Sequence, residues 1–365
     1  MRFMTSMRCP LAPRRGYRRA LGAILGAAVA AAASGCTGPA GLELASQPTP
    51  PSSGPGAEQM THRRIVQTHV PDGAKGYYLF EPADPSPDTA PVIVFVHGYG
   101  ARRPTGYQAW IRHLVHRGNV VIFPVYQTSF LTPSDVYTPS LVEAVTNAFA
   151  LLESGDHVRP HAEHLAILGH SVGGVLAANL AAEAVGAGLP SPRALMTCNA
   201  GDTRGGIGRR RFPSILDDSD YATIPADILM LQVIGAEDSV VPADAPIFIH
   251  ESATQIAVEN KNVLLLHSDG HGVPPLQASH FAAASSASAG DDPAGGNAAA
   301  LLPRRQTGRA DALDYYGFWK WLDALTDAAF YGINREFALG GTPEQTFLGV
   351  WSDGTPVRPA EVIRP

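Results

Sequence analysis

Apolar runs of four to seven residues recur along the chain, and most are followed by a segment in which apolar residues return every three or four positions. The runs are typical of strands buried on both faces of a sheet, and the periodic segments of helices that pack on it. Strands are predicted at 91–96, 120–125, 165–168, 194–197, 228–234 and 263–267, and helices at 107–117, 139–153, 172–185, 245–258 and 310–330. Two earlier runs, 64–70 and 77–81, flank a Pro-Asp-Gly turn and predict a hairpin. The pattern predicts one α/β domain over residues 62–365, with a mostly parallel sheet covered by helices on both faces.

The first 35 residues differ in charge from the rest of the chain. They contain six arginines and no acidic residue, whereas the whole chain has 27 basic and 33 acidic residues. An uncharged run at 20–33 is shorter than the roughly 20 residues that a membrane-spanning helix needs, which is typical of a signal peptide. We therefore expect residues 1–35 to direct export, by the general or the twin-arginine route.

Residues Ala33-Ser34-Gly35-Cys36 resemble a bacterial lipobox, although the usual leucine three places before the cysteine is alanine here. The resemblance implies a lipid on Cys36 that anchors the protein to the cell envelope, with simple secretion as the alternative. The following stretch, 36–61, is rich in Pro, Ser and Gly, which predicts a tether between membrane and domain. Basic residues form no long run with interleaved aromatics, so no nucleic-acid partner is expected.

The clearest chemical motif is Gly169-His170-Ser171-Val172-Gly173. It lies between the strand at 165–168 and the helix at 172–185, which is the strand–turn–helix setting of a nucleophilic serine. A serine hydroxyl needs a base to accept its proton, and the base needs a carboxylate to hold its tautomer. Because the serine comes first in the chain in this setting, the carboxylate and the base are both expected downstream, at the carboxyl ends of later strands.

The candidate acid and base follow the strands at 228–234 and 263–267. Asp238 follows the first of these strands and His271 the second. Glu237 and Asp202 remain rival acids, and His267 and His280 remain rival bases. A simpler interpretation, in which Asp238 caps a turn and His271 lies in an ordinary loop, would have to hold for both residues at once.

On these motifs the chain resembles serine hydrolases of the α/β-hydrolase superfamily over roughly residues 64–331. The resemblance implies Ser171 as nucleophile, His271 as general base and Asp238 as the orienting carboxylate. It also implies an oxyanion hole formed by the backbone N–H groups of Tyr99, in His97-Gly98-Tyr99-Gly100, and of Val172. No cofactor or metal is required by this chemistry.

Two further segments bear on access to this site. Residues 201–224 are too few for a large cap domain, so an open site is expected. Residues 277–309 are rich in Ala, Ser, Gly and Asp and too long for an ordinary connection. This stretch is interpreted as a low-complexity insertion, with or without a role as a flap over the site.

The sequence therefore predicts an exported, lipid-anchored serine hydrolase that cleaves small-molecule or polymeric carboxylic esters through an acyl-enzyme. The choice of esters rests on the resemblance to the superfamily. Within it, the chain is similar to dienelactone-hydrolase-like, platelet-activating-factor-acetylhydrolase-like and polyester-hydrolase-like members. The alternatives are an amide or peptide hydrolase with the same triad and a binding protein that kept the fold without catalysis.

Overall fold

A computed structural model describes residues 44–204, 213–216, 219–286 and 309–364. The predicted signal peptide, the lipidation site Cys36 and most of the stretch at 277–309 lie outside the described residues. Within the described ranges, no helix is both long and apolar enough to cross a membrane.

A sheet of nine strands forms the centre of the described structure. The strands are β1 Arg64–Val70, β2 Tyr77–Ala83, β3 Thr89–Val96, β4 Val120–Pro124, β5 Arg159–His170, β6 Pro192–Cys198, β7 Leu229–Gly235, β8 Lys261–Leu266 and β9 Glu361–Ile363. Their spatial order is β1-β2-β4-β3-β5-β6-β7-β8-β9. Strands β3 to β8 pair in parallel, whereas β1 with β2, β2 with β4, and β8 with β9 pair antiparallel.

Helices cover both faces of this sheet, as the continuous apolar strands require. They are α1 Gln108–His116, α2 Tyr137–Leu152, α3 Val172–Glu183, α4 Asp244–Ser252, α5 Trp319–Tyr331 and the short α6 Pro343–Thr346. Helices α1 and α5 contribute to one buried apolar cluster, and α2, α3 and α4 to the cluster on the opposite face. The predicted fold class, an α/β-hydrolase fold, is confirmed.

Strand order places a crevice at the centre of the sheet. The chain leaves β3 for β4 on one side, while β5 lies on the other side of β3 and leads on to β6. The loops that follow β3 and β5 therefore diverge at the carboxyl edge of the sheet. In open α/β sheets this is where ligands bind.

The predicted tether is wrong for residues 44–61, which pack against the domain as part of the same compact unit. The carbonyl oxygen of Ala45 accepts the N–H of Val273 at 2.8 Å. The Tyr315 hydroxyl donates to the carbonyl oxygen of Pro48 at 2.8 Å. Proline lacks a backbone donor but keeps its acceptor, so a Pro-rich segment can pack where backbone and side-chain groups of the domain donate the hydrogen bonds.

Candidate active site

Ser171 lies at the turn between β5 and α3 in a strained backbone conformation, with φ 58° and ψ −129°. A non-glycine residue rarely adopts positive φ, and such strain persists only where surrounding structure enforces it. Here the Ser171 N–H donates to the carbonyl oxygen of Cys198 on β6 at 3.0 Å. The turn presents the serine side chain at the carboxyl edge of the sheet.

The glycines of the motif are required by close backbone packing. A Cβ on Gly169 would lie 2.0 Å from the carbonyl oxygen of Gly173, and a Cβ on Gly173 would lie 2.3 Å from that of His97. Strand β5, helix α3 and the loop after β3 therefore meet with no room for side chains. This packing explains the G-x-S-x-G pattern and fixes Ser171 beside the loop that begins at His97.

A hydrogen-bonded row of three side chains leads from Ser171 into the protein. His280 Nε2 lies 2.9 Å from Ser171 Oγ, and His280 Nδ1 lies 2.7 Å from Asp238 Oδ2. An ionised carboxylate only accepts hydrogen bonds, so Nδ1 carries the proton and Nε2 is left to accept the serine proton. The side chains of His280 and Asp238 are each only 4% exposed. This is the arrangement of a serine nucleophile with its base and orienting acid.

Asp238 is held in place from two sides. Its Oδ1 accepts the backbone N–H groups of Val240 at 2.8 Å and Val241 at 3.1 Å, while Oδ2 accepts from His280. Burial by itself would raise the pKa of Asp238, but these donors outweigh it and hold the pKa below its usual value. The carboxylate therefore stays ionised opposite His280, and the structure brings the predicted acid into the site.

The prediction that His271 is the base is contradicted by the geometry. His271 Nε2 donates to Asp353 Oδ2 at 2.7 Å, and its side chain is 38% exposed. The reason is a loop: Asp269 and Leu276 form an isolated antiparallel bridge through two backbone hydrogen bonds of 3.0 and 2.8 Å. The chain after β8 therefore leaves the sheet edge with His271 and returns to it just before His280.

The other rival residues also hold structural contacts. Glu237 accepts from the backbone N–H and hydroxyl of Ser268, and Asp202 accepts from the backbone N–H groups of Thr203 and Ile215. His267 lies 3.5 Å from Glu361. Within the described structure, none of the three forms a hydrogen bond to Ser171 or His280.

His170, the variable residue before Ser171, connects the two loops of the site. Its Nε2–H donates to the carbonyl oxygen of His280 at 2.7 Å, so its Nδ1 accepts the Tyr107 hydroxyl at 2.8 Å. The Tyr107 oxygen in turn accepts the N–H of Gly98 at 3.1 Å. Burial, with His280 as a smaller cause, lowers the pKa of His170 to about 3, so the ring is neutral. Sequence reasoning missed His170 and Tyr107 as supporting residues, because nothing in their spacing marks the contact.

Asn199, after β6, supports the same turn from the other side. Its amide nitrogen donates to the carbonyl oxygens of Ser279 and His280, both at 3.1 Å, and its oxygen accepts the N–H of Gly235 at 2.6 Å. Asn199 has φ 48°, a conformation in which asparagine is enriched. The His280 carbonyl thus has two side-chain donors, which fix the base relative to the sheet.

The predicted oxyanion donors flank Ser171. Val172 is the first residue of α3, where backbone N–H groups have no partner within the helix. On the other side, a Cβ on Gly98 would lie 3.2 Å from Ser171 Cβ, which brings the loop carrying Tyr99 against the nucleophile. The Tyr99 hydroxyl donates to the carbonyl oxygen of Phe130 at 2.7 Å, and the N–H of Gly100 donates to Gln127 Oε1 at 2.9 Å. These contacts fix the loop before any substrate binds.

His97 begins this loop and is fully buried. It stacks between Phe123 and Tyr126, with ring centroids 5.3 and 4.3 Å away, and its Nδ1 donates to the carbonyl oxygen of Gly98 at 2.7 Å. Burial lowers the pKa of His97 to about 4. A neutral, stacked ring that hydrogen-bonds its own loop is a structural residue.

Comparison with known proteins agrees with this architecture. A family model described as chlorophyllase matches residues 55–236, a stretch that includes Ser171 and ends two residues before Asp238. The assignment of the acid and base therefore rests on geometry alone. No curated protein matches the chain. The sheet order, the strained serine and this match together show that the chain has the α/β-hydrolase fold, and the matching family is one of ester hydrolases of that type.

Proposed function

We propose that the protein is a serine esterase in which Ser171, His280 and Asp238 form the catalytic triad and an acyl-enzyme is the intermediate. The single observation that carries the proposal is the buried His280 ring, which bridges the serine hydroxyl and the carboxylate at 2.9 and 2.7 Å. Chance contact between a loop histidine and a serine would not also supply the carboxylate on the far nitrogen.

The chemistry follows from this geometry. Ser171 Oγ attacks the ester carbonyl carbon while its proton passes to His280 Nε2, and Asp238 stabilises the imidazolium that forms. The negative charge on the carbonyl oxygen is received by the backbone N–H groups of Tyr99 and Val172. When the tetrahedral intermediate collapses, Nε2 gives the proton to the departing alcohol. Water then attacks the acyl group by the same steps in reverse order and regenerates Ser171.

The test is active-site labelling combined with turnover of esters, using the full-length chain in detergent. A fluorophosphonate should label Ser171, and Ser171→Ala should lose both the adduct and the hydrolysis of p-nitrophenyl esters. Ser154→Ala is the matched control, because Ser154 is exposed and its hydroxyl only donates to the carbonyl oxygen of Leu151. A folded wild-type protein with no adduct and no turnover would favour a binding protein. Faster turnover of matched anilides than of esters would favour an amide hydrolase.

We further propose that the protein is exported and anchored through a lipid on Cys36. The arginine-rich start, the uncharged run at 20–33 and the lipobox-like sequence support this. Growth with an alkyne fatty acid should label the wild-type protein but not Cys36→Ser. Labelling that survives the substitution would contradict the anchor site.

A further inference from the structure

A second cleft, of about 530 Å³, lies on the same edge of the sheet as the candidate active site. Its walls include His69 and Tyr78 from the β1–β2 hairpin and Gln127 from the segment after β4. Because Tyr78 pairs with Phe123 at the carboxyl end of β4, this wall stands at the carboxyl edge of the parallel strands. That edge is where substrates of this architecture bind.

The cleft begins close to the nucleophile. Gly98 packs against Ser171, since a Cβ on Gly98 would lie 3.2 Å from Ser171 Cβ, and Gly100 lines the cleft. Consecutive Cα atoms are about 3.8 Å apart, so the near end of the cleft lies within roughly 12 Å of Ser171 Cβ. A substrate of modest length can therefore reach both places.

The cleft is positively charged in a chain whose formal net charge is −6. Arg102 and Arg103 both line it and are both exposed. Arg102 donates to the carbonyl oxygen of Thr128, which orients its guanidinium. Among the residues that the structure describes, no carboxylate lies within 4.0 Å of either guanidinium.

Other charged groups near the cleft do not neutralise the two arginines. Burial, and to a smaller extent the positive charge of Arg103, lower the pKa of His69, which favours its neutral form. Asp72, next to the lining residue Gly73, interacts electrostatically with Lys75, which also pairs with Glu143 at 2.6 Å. The two arginines therefore retain unpaired donors that face solvent in the cleft.

We propose that Arg102 and Arg103 form a subsite for a carboxylate group carried by the substrate, so that the preferred substrates are esters with a second, anionic end. This inference rests on the proposed esterase activity. A guanidinium binds a carboxylate through paired, charge-assisted hydrogen bonds. The anion would hold the far end of the substrate while its ester carbonyl reaches Ser171.

The experiment compares p-nitrophenyl monoesters of dicarboxylic acids, from succinate through suberate to sebacate, with the p-nitrophenyl methyl diesters of the same acids. Each pair differs only in the terminal charge. The full-length enzyme, Arg103→Gln and the double variant Arg102→Gln/Arg103→Gln are assayed. Arg64→Gln is the control, because it makes the same charge change at the far end of β1.

In the double variant, kcat/KM for the charged monoester should fall by about tenfold, while the neutral diester should change by less than about twofold. Arg103→Gln should show a smaller loss of the same kind, and Arg64→Gln should show none. The wild-type preference for the charged ester should weaken in about 0.5 M salt and should depend on chain length.

If wild type and the double variant show the same ratio of kcat/KM for the charged monoester to kcat/KM for the neutral diester, the proposed subsite is overturned. This outcome includes the case in which the arginines bind only a free anion. If wild type hydrolyses neither ester, the proposed esterase activity itself fails. The two failures are therefore distinguishable.

Discussion

Two histidines follow β8, and they show opposite fates of the same side chain. His271 lies in the loop closed by the Asp269–Leu276 bridge, is 38% exposed and pairs with Asp353. His280 lies beyond the loop, is 4% exposed and connects Ser171 with Asp238. Both have a carboxylate partner at 2.7 Å. Burial and the second contact, to the serine, separate a base from a surface histidine.

The surroundings of the two residues explain the difference. Three groups hold the Asp269 carboxylate: the backbone N–H of His271, Trp351 Nε1–H and the backbone N–H of Arg358. These contacts fold the loop onto the C-terminal segment. By contrast, His170 and Asn199 donate to the carbonyl oxygen of His280 itself. One network builds a loop, and the other positions a base.

The largest expected effect separates the two histidines directly. His280→Ala should lower kcat/KM by at least about 10³-fold, because Ser171 loses the group that accepts its proton. His271→Ala should retain kcat/KM within about threefold. The comparison is made with p-nitrophenyl esters and with circular dichroism to verify folding. Equal losses in both variants would contradict the assignment.

The carboxylates give the next largest contrast. Asp238→Asn should lower kcat by about 10²-fold or more, because an amide can donate to Nδ1 and favour the wrong tautomer. Asp353→Asn makes the same change opposite His271 and is expected to leave kcat unaltered. Steady-state kinetics on both variants checks this, and a strong loss in Asp353→Asn would point back to His271.

A smaller effect is expected in the supporting network. Tyr107→Phe removes the hydroxyl that bonds His170 and Gly98, and should lower kcat by about three- to tenfold with little change in KM, because two loops lose their relative position. Tyr315→Phe also loses one hydroxyl hydrogen bond, to Pro48, and should not change kcat. Equal kcat for Tyr107→Phe and wild type would remove Tyr107 from the network.

The smallest effect on turnover is expected for Asp269, whose loss should act on stability. Asp269→Asn should lower the free energy of unfolding by about 1–2 kcal/mol while kcat/KM stays within about twofold. Burial would raise the pKa of Asp269, but its backbone and indole donors hold the pKa below the usual value. The stabilisation is therefore present at neutral pH and is lost as pH falls through the lowered pKa. The free energies of unfolding of wild type and Asp269→Asn, measured in urea, should converge in acid. A difference that stays constant with pH would contradict this.

Much of the fold could be predicted because most of its strands consist of continuous runs of apolar residues. The run at 91–96 became β3 and that at 228–234 became β7, each within a few residues. Helix α4 ends at Ser252, earlier than the predicted helix at 245–258. The packing of residues 44–61 was missed, because a Pro-rich composition does not reveal that the domain offers partners for its backbone.

Part of the candidate site could likewise be predicted from the sequence, and part could not. Ser171 could be predicted because steric crowding at Gly169 and Gly173 restricts the residues on either side of it. Asp238 could be predicted because it lies three residues after the end of β7. The base could not, because a bridge of two backbone hydrogen bonds decides which histidine returns to the sheet edge. Alanines near His280, such as Ala278 and Ala283, distinguish its sequence surroundings from the Gly-rich loop of His271, and the structure buries both of them.

The most direct test of the triad is the rate at which a fluorophosphonate labels Ser171 in wild type, His271→Ala and His280→Ala, read by mass spectrometry of the labelled peptide. This rate reports activation of the serine without depending on substrate specificity. We predict that His271→Ala is labelled as fast as wild type and that labelling of His280→Ala is slower by at least about 10²-fold. Rapid labelling of His280→Ala, together with slow labelling of His271→Ala, would contradict the account.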